Sequence, residues 1–307
     1  MTRGDGALEL SVVVPTYNQA ALLRHSMRSV VDQTLNPAMY EIIVVDDGST
    51  DHTGEVLEEF RSRVTSVRLP VNRGRSAARN AGIAAAGAPR IVFIDSDVLV
   101  RPDFLHWHID THRKHGPRIL CRGPVVLLYD LDDATAHRPM RPVGSPAFLD
   151  TANASLEKSA LLEAGGFDES FPGYGWEDFE LGLRLKRAGI RRVFCPEAAA
   201  FHMHPEVGEE TLEVLLRKEE ERARSAVHFL KKHPVTETRL LVQATPLHRA
   251  LYWLLSAGGS LTPSTALHIA RRFQRSGLRS VAHVVVRMAL NWRYSEFLKA
   301  ELSRSRA

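Results

Sequence analysis

Asp95-Ser96-Asp97 closes an apolar run, Ile91-Val92-Phe93-Ile94. Two carboxylates held this close repel unless a cation sits between them, and hard divalent ions prefer carboxylate oxygen. The pair is a candidate metal site, although Asp and Ser also make good turns. Asp46-Asp47-Gly48 ends a second apolar run in the same manner. Arg75 and Arg79 lie one turn apart near the start of a small-residue helix. An arginine presents a planar fork suited to phosphate oxygens, and a helix start adds backbone donors. The plain alternative there is a solvated basic face. Glu177 and Asp178 fall in the first turn of another expected helix, where carboxylates favour the positive amino end.

The segments that carry these residues alternate in type. Leu8 to Val14 is expected as a strand stopped by Pro15, which presents Thr16, Tyr17 and Asn18 at its end. Ala20 to Val31 has helical periodicity, Glu41 to Val45 reads as a strand, and Val64 to Leu69 as a third. Asp51 is placed to cap the helix that runs to Phe60. The four apolar residues before Asp95 read as a strand buried on both faces. Further expected elements are helices over 102–115, 153–164 and from Glu177 to Ala188, with short strands over 118–128, 192–195 and 198–201. Strand–helix alternation at this spacing predicts an α/β fold with a right-handed, mostly parallel sheet flanked by helices. Ligands of open α/β sheets bind at the carboxyl ends of central strands, which is where Asp95 and Asp97 would stand. The Pro-, Asp- and Arg-rich region 129–146 has little periodicity and is read as acceptor-side or lid structure.

Composition narrows the class. The chain has 307 residues, 44% hydrophobic and 25% charged, with a net charge of +4. Mild basicity suits an anionic substrate or a membrane surface, but no dense Lys/Arg tract of the nucleic-acid-binding kind is present. Cys121 and Cys195 form neither metal-type spacing nor a disulfide framework. The first ten residues lack a signal-peptide pattern, and no run approaches bilayer-spanning length. The expectation is a reduced, cytoplasmic protein.

Taken in order, Val13-Val14-Pro15-Thr16-Tyr17-Asn18, Asp46-Asp47-Gly48-Ser49, Ala78-Arg79-Asn80-Ala81-Gly82, Asp95-Ser96-Asp97, Gly165-Gly166-Phe167-Asp168-Glu169 and Trp176-Glu177-Asp178 resemble the inverting nucleotide-sugar glycosyltransferases of family 2. The resemblance covers roughly residues 8 to 205 and implies the GT-A fold. It implies that residues 1–205 form the catalytic domain, with a nucleotide-sugar half to about residue 100 and an acceptor half beyond it. By resemblance, Asp47 accepts the imide N–H of a uracil ring, with Pro15, Thr16, Tyr17, Asn18 and Asp46 around the nucleoside. Asp97 is the metal-binding carboxylate of a DXD motif, Asp95 is the one nearer the ribose and a further metal ligand, and Ser96 belongs with the nucleotide-sugar-binding residues. His202 is an additional ligand, with His204 as the alternative. The metal implied is divalent, Mn2+ or Mg2+. Asp178 is the general base and Glu177 a hydroxyl-binding neighbour, while Trp176 provides an aromatic platform for a sugar. The donor favoured is a UDP-sugar. The acceptor is an envelope or lipid-linked glycan first, and a small natural product or carrier-bound precursor second. The Gln-x-x-Arg-Trp signature of processive members is missing, which points to single-sugar transfer.

Residues 206–307 read as a helical appendage, with helices over 212–230, 245–255, 263–273 and 281–302. The plain explanation of their apolar faces is a cap packed on the catalytic domain, or a homodimer interface. The sharper one is a peripheral contact with anionic lipid, given flanking arginines such as Arg249, Arg271 and Arg272. Two rivals frame these readings. A nucleotidyltransferase would need a Gly-rich loop with a basic residue after the first strand, which Pro15-Thr16-Tyr17 does not supply. A non-catalytic sugar-nucleotide-binding protein would bind the donor and release nothing.

Overall fold

The computed structural model describes residues 7–128, 145–203 and 211–305. Most of the region expected to form a lid, and the expected domain boundary near residue 205, lie outside these residues. Contacts divide the chain into two units, Met1–Glu169 with Asp178–His204, and Ser170–Glu177 with Pro205–Ala307.

The first unit is built on strands β1 (Leu10–Thr16), β2 (Tyr40–Asp46), β3 (Val64–Arg68), β4 (Arg90–Phe93), β6 (Ile119–Arg122), β8 (Ala154–Glu157) and β9 (Arg191–Phe194). They form one sheet in the order β3-β2-β1-β4-β8-β6-β9. β1 lies between β2 and β4 and is parallel to both, with Val13 opposite Ile43 on one side and Phe93 on the other. The chain leaves β1 toward β2 and returns on the other side as β4. This makes the β1/β4 boundary a topological switch point, where the carboxyl ends of strands open a crevice. A small second sheet joins β5 (Val98–Val100), β10 (Ala200–Met203) and β7 (Val125–Leu128).

Alternation along β1 divides the core. Val12 and Val14 pack with Leu23 and Met27 of α1 (Ala20–Val31) and Phe104 of α4 (Phe104–His115). Val13 faces the other way, toward Ala78 and Ile83 of α3 (Arg75–Ala85) and Leu181 of α6 (Glu177–Arg187). The small residues of α3 allow a close approach: a Cβ at Gly82 would lie 2.3 Å from Val13 Cγ1. Asp51 caps two helix starts, since its carboxylate accepts the N–H of Thr53 in α2 (Thr53–Glu59) at 3.0 Å and that of Ala20 in α1 at 3.1 Å.

Three expectations need correction. β1 does not stop before Pro15 but runs through it to Thr16. The carbonyl of Val13 accepts Ile94 N–H and that of Thr16 accepts Asp47 N–H. Backbone polar groups alternate sides along a strand, so the missing N–H of Pro15 faces the β4 side, where β4 has already ended at Phe93. No ladder bond is lost. Second, residues 153–164 are not one helix. Ala154–Glu157 is strand β8, antiparallel to both β4 and β6, and only Lys158–Glu163 is helical, as α5. Ser155 accounts for this: its hydroxyl meets His108 Nδ1 at 2.8 Å and His112 Nε2 at 2.9 Å, both on α4. Third, the segment after residue 197 becomes a strand at Ala200, later than expected.

The second unit holds α7 (Leu212–Lys232), α8 (Thr236–Leu241), α9 (Pro246–Leu255), α10 (Pro263–Arg275) and α11 (Arg279–Arg304). Thr245-Pro246 and Thr262-Pro263 start α9 and α10. Each threonine hydroxyl accepts the N–H three residues on, and each proline fills a position that needs no donor. Leu267 and Ala270 of α10 pack with Ala282, Val286 and Leu290 of α11, with Leu212 and Leu215 of α7 against them. The segment Ser170–Glu177 belongs with these helices, Phe171 stacking edge-on against His228. No helix among the described residues is long and apolar enough to cross a membrane.

Candidate active site

The switch point gathers the acidic motif. After β4 the chain turns through Asp95 and Asp97 into β5, and β10 returns antiparallel beside it, setting His202 opposite Val98. The N–H of Met203 donates to the carbonyl of Asp97 at 2.8 Å. This pairing brings His202 Nε2 to 3.4 Å from Asp97 Oδ1. Ligand atoms of Asp95, Asp97 and His202 all lie within 4.8 Å of one another. His204 lies outside the described residues.

Asp95 also accepts a hydrogen bond from Arg79 Nη2 at 3.0 Å. Burial would raise its carboxyl, but Arg79, Arg75 and His202 overcome that and hold it below the ordinary carboxylate range. Burial raises Asp97, opposed by His202 and reinforced by the neighbouring Asp95 charge. The two arginines have separate roles. Arg79 is buried, paired with Asp95, with its guanidinium 5.4 Å from the Phe167 ring centroid. Arg75 is exposed, and its charge reaches both aspartates.

The site suits a divalent cation. Two carboxylates and an imidazole make a mixed donor set that Mn2+ accepts. Asp97 Oδ1 and His202 Nδ1 are buried without a hydrogen-bond partner among the described residues. An ion is the group that would satisfy such a carboxylate oxygen.

At the neighbouring strand ends, Thr16 is buried and its hydroxyl also has no hydrogen-bond partner among the described residues. Tyr17 is exposed. Asn18 serves the backbone: at φ 50°, its Oδ1 accepts the N–H of Thr50 at 2.8 Å. Asp46 accepts Ser49 N–H at 2.8 Å, closing the turn after β2. Asp47 is buried, and its two oxygens accept the N–H groups of Arg73 and Gly74, each at 2.8 Å. It thus shapes the loop that opens α3, while each oxygen keeps a second lone pair. Ser96 is buried, with its hydroxyl 3.5 Å from Gln19 Oε1.

Asp178 stands half-buried in the first turn of α6 and accepts the N–H of Phe179 at 2.8 Å. Glu177, before it, is buried. Trp176, expected as a sugar platform, is buried. Within the second unit its indole N–H donates to the carbonyl of Arg222 at 2.9 Å, and the Arg222 guanidinium lies 5.0 Å from its ring centroid. At φ 74° it occupies a left-handed conformation that a bulky residue adopts only when its surroundings hold it there. The ring is buried and held by these contacts with Arg222.

Two family models match the chain, glycosyl transferase family group 2 over residues 90–295 and glycosyl transferase family 2 over residues 11–162. The chain belongs to glycosyl transferase family 2. Among family relatives it is 30% identical over 264 residues to the validoxylamine A glucosyltransferase of Streptomyces hygroscopicus subsp. limoneus, across 73% of this chain and 57% of that protein. It is 30% identical over 217 residues to the pre-mycofactocin glycosyltransferase of Mycobacterium tuberculosis, across 66% of this chain and 44% of the relative. The chain therefore spans about half the length of these curated relatives. The fold is GT-A. The Pyrobaculum calidifontis mannosyltransferase PcManGT, solved with GDP-Man and Mn2+, superposes with a TM-score of 0.61 at 18% identity, over 94% of this chain and 86% of its own. S. aureus TarS, solved with UDP-GlcNAc, gives 0.59 at 17% identity, over 95% and 92%.

Against this family-2 frame, sequence reasoning missed Arg122 and Asn153. Arg122, at the end of β6, is buried, donates to the carbonyl of Ala147 at 2.7 Å and pairs with Asp150 at 2.9 Å. Burial lowers its pKa, while Asp150 and Asp178 favour its charged form, so Arg122 is an electrostatic neighbour of Asp178. Asn153 donates to the carbonyls of Pro124 and Ala198 at 3.0 and 2.7 Å, tying together the segments that lead into β7 and β10. Its only sequence signal is a polar residue beside a buried strand.

Proposed function

We propose that this chain is a metal-dependent, inverting glycosyltransferase that moves one sugar from a nucleotide sugar, a UDP-sugar by preference, to an acceptor hydroxyl or amine. The observation that carries the reading is the half-buried trio Asp95, Asp97 and His202 at the switch point, with Asp97 Oδ1 lacking a hydrogen-bond partner among the described residues. Asp95, Asp97 and His202 would hold Mn2+ or Mg2+, which when bound neutralises charge on the diphosphate as the nucleotide leaves. The chain's own residues do the rest. Thr16 and Asp47 line the nucleoside, and a free lone pair of Asp47 accepts the imide N–H that distinguishes uracil from adenine. Arg75 faces phosphate oxygens. Asp178 accepts the acceptor's proton as the new bond to the anomeric carbon forms and the bond to the diphosphate oxygen breaks with its electron pair. Attack from the side opposite the leaving group inverts the anomeric centre. Glu177 is assigned to substrate hydroxyls, and residues 1–205 to the catalytic domain.

The acceptor we favour is an envelope or lipid-linked glycan, met in the cytoplasm at the inner face of the membrane. A small-molecule acceptor is the second reading, favoured by relatives named for glucosyl transfer to validoxylamine A and for glycosylation of pre-mycofactocin. Incubation with UDP-glucose, UDP-GlcNAc and GDP-mannose, with and without Mn2+, tests the reaction class through released nucleoside diphosphate. Metal-stimulated release supports the reading. Retention of nucleotide with no release from any donor would make the chain a binding module.

A further inference from the structure

Helix α9 carries Leu247, Leu251 and Leu254 at positions i, i+4 and i+7, which is one stripe of a helix. They are 78%, 46% and 67% exposed, and Trp253 beside them is 52% exposed. Apolar faces of surface helices ordinarily turn inward. The inward side of α9 is already used. Tyr252 is buried, the helix packs on α11, and the Arg249 guanidinium lies 5.9 Å from the Trp292 ring centroid. A contiguous apolar patch left facing water marks an interaction surface.

Charge indicates what it meets. From residue 238 to residue 295 the chain has eight arginines and no aspartate or glutamate. Arg287 is engaged by Glu219 of α7, and Arg293 by Glu296. Arg239, Arg271, Arg272 and Arg275 are exposed and make no ion pair with a carboxylate among the described residues. A second copy docking through this stretch would bring its uncompensated positive charge against the same charge, since a two-fold interface brings like patches together. An anionic bilayer offers the opposite charge and an apolar interior to receive leucine and tryptophan.

We propose that the α9 stripe, carried by a stretch of chain whose only acidic or basic charges are arginines, forms a docking surface for a bilayer containing anionic lipid. The helix lies in the headgroup region with Leu247, Leu251, Leu254 and Trp253 inserted, and does not span. The surface rests on the second unit alone, so it stands or falls apart from the donor chemistry proposed above.

Co-sedimentation of the full chain with vesicles of phosphatidylcholine alone, or with a quarter phosphatidylglycerol, tests it. The expected result is binding only where phosphatidylglycerol is present, weakened by added salt. The double variant Leu251→Glu/Leu254→Glu should lose affinity by roughly tenfold or more, with Tm and metal-stimulated donor hydrolysis unchanged in the absence of vesicles. Equal binding to both vesicle types, or undiminished binding by the double variant, overturns the proposal. A dimer seen by light scattering and broken by the same variant would assign the stripe to a second copy and overturn it as well.

Discussion

His202 Nε2 lies 3.4 Å from Asp97 Oδ1, although more than one hundred residues separate the two in sequence. The antiparallel pairing of β5 with β10 accounts for this, with Met203 N–H donating to the Asp97 carbonyl. The backbone bond fixes the strand ends, so the imidazole and carboxylate meet before any ligand arrives. Such pre-organisation suits a metal site, where a ligand left to drift costs affinity.

His202→Ala should therefore weaken Mn2+ binding by at least about tenfold without unfolding the chain. Titration of free Mn2+ by electron paramagnetic resonance reads this directly. Asp97→Asn should do the same, and chelation with EDTA should abolish donor hydrolysis, restored by added Mn2+. Unchanged Mn2+ affinity in both variants would remove these residues from the ligand set.

Asp178→Asn keeps the shape of the first turn of α6 and removes the proton acceptor. General-base catalysis contributes roughly 100- to 10,000-fold, so kcat should fall by that factor while donor affinity stays within about twofold. Thermal shift with nucleotide reads binding, and product formation reads chemistry. Equal loss of both would give Asp178 a structural role.

Strands β1, β2 and β4 of the sheet's parallel half were legible because each holds a short apolar run closed by Pro or Asp. Asp95, Asp97, Asp46 and Asp47 could be placed at strand ends for that reason. β8 was not legible. Ala-Ser-Leu-Glu carries no strong strand pattern, and its place depends on the hydrogen bonds that the Ser155 hydroxyl shares with two histidines of α4. Pro15 misled because its tolerance depends on which neighbour strand ends first. Trp176 was found as a motif residue, yet its setting depends on Arg222, which no local pattern links to it. The metal trio was legible in types, but its closure required knowledge of the β5/β10 pairing.

Gly82 tests how tightly α3 is set against β1. Gly to Ala inside a helix ordinarily stabilises by about 1 kcal/mol. Here the new methyl would meet Val13 Cγ1 at 2.3 Å and Val45 Cγ2 at 3.3 Å, both fully buried. Overpacking costs about 1–3 kcal/mol, so Gly82→Ala should lower Tm rather than raise it. Val13→Ala in the same chain should return part of the loss, because the two changes share one space. A raised Tm in the single variant would show that α3 and β1 move apart to take the methyl at little cost.

The buried histidines of α4 make stability depend on pH. His108 lies between Ser155 Oγ at 2.8 Å and Asn153 Oδ1 at 3.2 Å, and His112 Nε2 meets the same Ser155 hydroxyl. Burial, with repulsion from His112, lowers the His108 pKa to about 3, and burial, with repulsion from Arg90, lowers that of His112 to about 4. An unfolded histidine titrates near 6.5. Between these values the unfolded chain binds more protons than the native one, so stability rises with pH through that window. The contribution is complete above about pH 6.5 and is lost as pH falls toward 4 and then 3. Each histidine adds a slope of up to about 1.4 kcal/mol per pH unit. Urea unfolding between pH 6.5 and 5, above the range where most carboxylates titrate, isolates the effect. The steep fall should be roughly halved in His112→Phe, which fills the space and cannot take up a proton. A flat profile in the wild-type chain would mean that the histidines are charged in the native core or already shielded in the unfolded state.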